Sequence, residues 1–288
     1  MKISGFTIVR NAIQYDYPVV ESIQSILPIC DEFIVNVGNS EDGTLSLIQS
    51  LRDPKIRIIQ NVWDLSMGKE MLSYQTNLAL KECRGDWAFY LQADEVIHEN
   101  DLRRLLQCMK KSRNDETTQA LRLRWFHFYG SYHRYRVDYG WFQKQGRIIK
   151  NNGTIESWGD AWAFRRKDGQ PLKIKNTGCF VYHYGWVHSP SIMTQRRVNA
   201  EKIGFATLTD PERQEEYPYG DLERFPIYWG THPRLMQNRV RGHPLSEEDR
   251  KIIQRKYWWH PFRIFRVRYK TFKRLSNRCQ SPKRGHPP

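Results

Sequence analysis

Four short runs rich in β-formers alternate with helical segments over the first 91 residues, and no other feature of the chain narrows its fold as much. Residues 3–9 read as a strand that ends where turn chemistry begins, at Arg10 and Asn11. In 18–27 the apolar residues Val19, Val20, Ile23, Ile26 and Leu27 recur at helical spacing. A strand at 32–37, a helix at 44–51, a strand at 55–60, a helix at 69–83 and a strand at 86–91 complete a βαβαβαβ series. Such alternation predicts an α/β fold with a mostly parallel, Rossmann-like sheet and helices on both of its faces. Ligands of such sheets bind at the carboxyl ends of the strands. Those ends are Arg10-Asn11, residues 39–42, residues 61–64 and Gln92-Ala93-Asp94-Glu95, and three of the four carry carboxylates.

Beyond residue 120 the β-rich stretches 120–129, 146–150 and 173–184 alternate with polar, Trp-rich loops. The second half is expected to share the first half's sheet and to receive an acceptor. This reading divides the chain into a catalytic domain at 1–245, with halves 1–115 and 116–245, a basic helical tail at 246–280 and a disordered end at 281–288.

Charge separates the same parts. Of the 46 Lys and Arg residues, thirteen fall within 250–288, which holds no Asp or Glu, so 33 basic residues face 31 acidic ones upstream. The net charge of +15 therefore describes a tail on a nearly neutral body, which argues for a local tether to phosphates and against a basic groove across the fold. In the tail, Phe262, Phe265, Tyr269 and Phe272 share one helical side, ringed by Arg and Lys and preceded by Trp258 and Trp259. A helix of that kind over 257–275 can lie on an anionic membrane surface, pack on the domain, or bind RNA. Nucleic acid is the least favoured of these partners. Five scattered cysteines, none spaced C-x-x-C, suggest neither a disulfide framework nor a zinc site. No apolar stretch approaches the roughly 20 residues of a membrane-spanning helix. Together these predict a cytoplasmic protein, peripheral on the inner face of the cell membrane if the tail meets lipid.

Chemistry is written most plainly in Asp94 and Glu95. Two adjacent acids follow an apolar strand, where packing needs neither, and a divalent cation on a diphosphate wants hard oxygen ligands at such a rigid strand end. The competing reading is an ordinary polar turn. The run from Asp31 to Thr44, followed some fifty residues later by Gly85-Asp86-Trp87-Ala88-Phe89-Tyr90-Leu91-Gln92-Ala93-Asp94-Glu95, resembles the second strand and the D-x-D strand of family 2 glycosyltransferases. The stretches 157–164, 182–187 and 230–236 are similar to a bacterial subgroup of that family, with an HYGW motif at 183–186. The resemblance runs from residue 3 to about 240.

It implies a GT-A fold, a nucleotide-sugar donor, a divalent cation (Mn2+ or Mg2+), and a glycan or lipid-linked acceptor in cell-surface polysaccharide or lipopolysaccharide synthesis. The family's first D-x-D acid is Gln92 here, its paired acids at the end of strand two fall on Val37 and Gly38, and its strand-one Asn-Glu pair becomes Asn11-Ala12. Asp94 is then the expected metal and donor ligand, joined by Glu95, with Asn11 and Asp42 as donor contacts. His183 is a further candidate metal ligand, or a histidine packed among Tyr182, Tyr184 and Trp186. Lys69 could meet the diphosphate as a point charge or stand solvated at a helix start. Inverting transfer needs a base for the acceptor hydroxyl, and Asp160 comes first, Glu156 second. The rivals are a nucleotidyltransferase, which needs a glycine-rich loop that residues 10–17 do not offer, and a non-catalytic glycan- or RNA-binding module.

Overall fold

A computed structural model describes residues 1–138, 141, 143–204 and 216–257. The chain divides into a unit spanning residues 1–243 and a second that begins at Pro244.

The first unit opens as the alternation predicts: β1 (Ile3–Val9), α1 (Val19–Ile26), β2 (Glu32–Val37), α2 (Thr44–Gln49), β3 (Ile56–Gln60), α3 (Glu70–Lys81) and β4 (Trp87–Tyr90). A short strand to which the sequence reading assigns no element, β5 (Glu95–Ile97), follows, then α4 (Glu99–Ser112), β6 (Ala120–Tyr129), β7 (Tyr135–Arg136) and β8 (Lys144–Lys150). The hairpin strands β9 (Ile155–Trp158) and β10 (Ala163–Arg166), the long β11 (Ile174–Trp186), α5 (Pro190–Lys202) and α6 (Gln237–Arg241) complete it. In the second unit the described element is α7 (Glu247–Tyr257), with three acids in its first turn.

Nine strands form one sheet in the order β3-β2-β1-β4-β8-β6-β11-β5, with β7 added to β6. The first four are parallel to one another, and the second half is mixed, with β8 antiparallel to both β4 and β6 while β6 and β11 run parallel. The two halves thus share one sheet. Side chains leave successive strand positions on opposite faces, and a sheet covered on both sides needs apolar groups in both directions. Trp87, Phe89 and Leu91 enter a core with α1, α2 and α4, whereas Ala88 and Tyr90 enter a second core with α3 and the β9–β10 hairpin. That is why residues 87–91 read as an unbroken apolar run. The hairpin itself is pinned to α3, because Asn77 Nδ2 donates to Ser157 O at 2.9 Å and Ser157 N donates to Asn77 Oδ1 at 2.8 Å.

A third cluster is mostly aromatic. Phe128 and Tyr184 stack with centroids 5.0 Å apart, and His232 joins them, its Nδ1 2.9 Å from the Tyr184 hydroxyl and its ring 4.8 Å from Phe128. His232 therefore fills the aromatic core. The region predicted as a lipid-binding helix lies, from residue 258 on, outside the described residues, as does the end at 281–288. Among the described residues no helix is long and apolar enough to cross a membrane.

Burial, with the nearby His133, holds the His232 imidazole down at about 4. The unfolded chain would protonate it near 6.5, so between those values the unfolded state binds the extra proton and stability falls as pH falls. The stabilisation is complete above pH 6.5 and lost on approach to pH 4. His232→Phe is expected to melt with a shallower decline over that window than the wild type, read from thermal unfolding at pH 7, 6, 5 and 4.5. An identical decline would contradict the assignment.

Candidate active site

A cavity of about 560 Å3 opens at the carboxyl ends of the strands, where Val9 and Arg10 leave β1, Gln92 to Asp94 leave β4, and His183 to Trp186 end β11. Asp160 and Ala161 from the hairpin turn form one wall, and Met193, Arg196 and Arg197 of α5 another. Trp63, Met71, Leu72 and Ile203 add apolar surface.

Sheet register brings Asp94 and His183 together. β5 runs antiparallel to β11 with Glu95 opposite His183, and Tyr184 N donates to Asp94 O at 2.9 Å, so the residue before Glu95 lies against the end of the HYGW segment. Asp94 Oδ2 is 3.5 Å from His183 Nε2. A Cβ at Gly185 would sit 2.6 Å from that oxygen and 2.7 Å from that nitrogen, so the glycine is what lets the two side chains meet. Arg196 closes the other side, with Nη2 3.2 Å from Asp94 Oδ2 and Nη1 donating to Gly185 O at 2.8 Å. Burial works against ionisation of Asp94, but His183 and then Arg196 overcome it and hold the carboxyl well below the usual carboxylate range. Behind His183 stands His127, their Nδ1 atoms 3.0 Å apart.

Glu95 is corrected. Its side chain and that of Arg147 are both wholly buried, 2.6 Å apart, and the same Oε1 accepts from Trp125 Nε1 at 3.0 Å while Oε2 accepts from Gln92 N at 3.0 Å. Both oxygens are engaged inside the protein, so Glu95 offers nothing to a cation in the cavity. Among the described residues no three His, Cys, Asp or Glu side chains are grouped to hold a metal ion. Asp94 and His183 supply one oxygen and one nitrogen, a set that fits a divalent cation whose remaining ligands arrive on a diphosphate.

The other candidates separate cleanly. Asp160 lines the cavity, between the left-handed backbones of Gly159 (φ 61°) and Ala161 (φ 62°), and its Oδ1 is buried with no hydrogen-bond partner. Glu156 does not line the cavity: it faces Arg165 across the hairpin, Nε to Oε1 2.9 Å. Asn11, at φ 52°, folds the loop after β1 by accepting from Glu41 N at 2.9 Å. Asp42 ties that loop to α2, accepting from Ile13 N, Gln14 N and Thr44 N at 3.0, 2.8 and 2.9 Å. Neither lines the cavity, because the functions read into them are taken up by turn geometry. Lys69 is exposed at the start of α3 and also stands outside the lining.

Sequence reasoning missed Arg147, Trp63 and Arg196. Trp63 explains why no acid stands at Gly38, since a Cβ there would lie 2.8 Å from the indole Nε1. The paired arginines at 196 and 197, on the first helix after a strand that ends in the cavity, were the available signal for α5.

Residues 6–169, more than half of the chain, match the family described as Glycosyl transferase family 2. The lipopolysaccharide core biosynthesis glycosyltransferase LpsC of Rhizobium meliloti (strain 1021) is 32% identical over 108 residues, which are 37% of this chain and 36% of that protein. The chain thus aligns with about a third of that relative's length. Residues 1–349 of S. aureus TarS share 16% identity over 72% of this chain and 67% of that one, at a TM-score of 0.42. The mannosyltransferase PcManGT of Pyrobaculum calidifontis, solved with GDP-Man and Mn2+, shares 19% over 42% of this chain and 34% of that one, at 0.32. Scores this low carry no argument about the present chain.

Removing either member of the Glu95–Arg147 pair strands a buried charge, which costs about 3–5 kcal/mol. Arg147→Met and Glu95→Gln are each expected to lower the free energy of unfolding by that order, read as a fall in the urea midpoint at unchanged slope, and the double substitution to lose less than the two costs added together. Full additivity in urea unfolding would contradict the coupling.

Proposed function

Because the chain belongs to glycosyl transferase family 2, we propose that it transfers a sugar from a nucleotide-sugar donor to a hydroxyl of a glycan or lipid-linked acceptor, with inversion. The observation that carries this reading is the buried, unpartnered Oδ1 of Asp160 on the wall of the cavity that also holds Asp94 and His183. A buried carboxylate oxygen without a donor is costly unless a ligand supplies one. An acceptor hydroxyl is such a donor.

In this mechanism the donor's sugar enters the cavity and its diphosphate faces Asp94, His183 and Arg196. The acceptor oxygen attacks the anomeric carbon, the bond to the diphosphate breaks, and the hydroxyl proton passes to Asp160. A divalent cation held by Asp94 and His183 would supply charge neutralisation for the leaving nucleoside diphosphate. Trp158, 37% exposed, lies 5.6 Å from Trp162 across the same turn and offers rings on which an acceptor sugar can stack. Assignment to a cell-surface glycan is supported by the likeness to LpsC. Anchorage of residues 257–275 on anionic lipid is supported by the basic amphipathic pattern of the tail.

Asp160→Asn keeps the shape of the turn and removes the base. Turnover is expected to fall by about 10²–10⁴-fold while KM for the donor changes little. Donor binding followed by calorimetry separates the outcomes: binding retained with turnover unchanged would remove Asp160 from the role. A wild type that binds no nucleotide-sugar would remove the glycosyltransferase reading itself.

A further inference from the structure

Arg196 occupies a built seat. Its side chain is 12% exposed, its guanidinium carbon lies 4.3 Å from the centroid of the Tyr17 ring, Nη1 donates to Gly185 O at 2.8 Å, and Nη2 reaches Asp94 Oδ2 at 3.2 Å. The partners come from the loop before α1, the end of β11 and the loop after β4, so the guanidinium is located by three separate parts of the fold. It lies on the same carboxylate oxygen that faces His183 Nε2 at 3.5 Å.

A divalent cation placed between Asp94 and His183 would therefore meet an oxygen that is already neutralised, with a fixed positive charge beside it. Alone, it gains little from Asp94 and is repelled by Arg196. A diphosphate reverses both terms. Its oxygens give the planar guanidinium a bidentate partner of opposite charge and give the cation hard ligands, and its negative charge offsets the sum of the two. We propose that Arg196 is an internal counter-ion that closes the Asp94–His183 cation site until the donor's diphosphate draws it away, so that divalent-cation binding is conditional on the nucleotide. The proposal rests on the glycosyltransferase reading for the identity of the diphosphate, and it concerns a step before any sugar moves.

Manganese binding to the full chain, read from the electron paramagnetic resonance signal of free Mn2+, tests it without reference to turnover. The wild type, Arg196→Met and Arg196→Lys are titrated without nucleotide and with uridine, guanosine or cytidine diphosphate. Arg196→Met keeps an apolar stem and removes the charge, so it is expected to bind Mn2+ alone about tenfold or more tightly than the wild type, since an unpaired buried carboxylate is left behind. It is also expected to bind nucleoside diphosphate more weakly in the presence of a chelator. Arg196→Lys keeps the charge but loses the fork, and is expected to fall between the two. It carries the comparison if Arg196→Met does not fold by circular dichroism.

Adding Asp94→Asn to either variant should cancel the gain. An unchanged or lower Mn2+ affinity in the Arg196 variants overturns the proposal, and so does a gain that survives Asp94→Asn. Failure of the glycosyltransferase reading would appear separately, as absence of nucleotide-sugar binding and turnover by the wild type, and leaves the metal titration of Arg196→Met to be judged by itself.

Discussion

A carboxylate and a guanidinium that water does not reach fix the position of the whole site. Arg147 stands on β8, between β4 and β6, with Tyr90 and Trp125 rings 5.1 and 5.2 Å from its guanidinium carbon. One of its nitrogens holds Glu95, which in turn closes the loop after β4 by accepting from Gln92 N. Another donates to the carbonyls of Ala161 and Trp162 at 3.3 and 3.0 Å. One side chain thus sets both the loop that carries Asp94 and the turn that carries Asp160. The segments that carry these two carboxylates, more than sixty residues apart, keep a constant relation because each is tied to the same guanidinium. Ion pairs of this kind add little net stability over apolar packing, but breaking one is expensive, which suits them to fixing a geometry.

Much of the fold was legible because its signals are local. Apolar runs bounded by turn residues give β1 to β4, and helical spacing gives α1 and α3, without knowledge of any partner. The strand β5 was not legible: three residues carry no periodicity, and Glu95–Ile97 becomes a strand through pairing with β11, more than eighty residues away. The site divides along the same line. Asp94, His183 and Asp160 all line the cavity, and each stands at a strand end or strand-to-strand turn that the pattern of elements could locate. The neighbouring acids Asp94 and Glu95 have the same composition and the same flanks, and what separates them is a strand's alternation together with Arg147, fifty-two residues on.

Asp42 and Glu156 show a second limit. A carboxylate in a loop beside a ligand site and a carboxylate that makes the loop look alike in sequence. Asp42 spends its oxygens on backbone N–H groups, and Glu156 meets Arg165 because the hairpin register places them opposite each other. The departure from the family pattern at Gly38 has a physical counterpart too, since it leaves room for the Trp63 indole, and Gly185, within the HYGW segment, leaves room for Asp94 and His183 to touch. With residues 6–169 matching Glycosyl transferase family 2, the nucleotidyltransferase reading loses its ground.

The back-to-back contact of His127 and His183 carries one more consequence. Two Nδ1 atoms 3.0 Å apart share a single hydrogen when both rings are neutral, so the tautomers of the two residues are set in opposition. If His127 donates, the one N–H of the neutral His183 ring sits on Nε2 and is available to Asp94. If His183 donates, its Nε2 presents a bare lone pair to the cavity. Passing from the hydrogen-bonding form of His183 to the metal-ligating form therefore moves the shared hydrogen onto its Nδ1, releases the one on Nε2 and leaves His127 to take a hydrogen on its own Nε2, an exchange of protons that requires no change in the course of the chain.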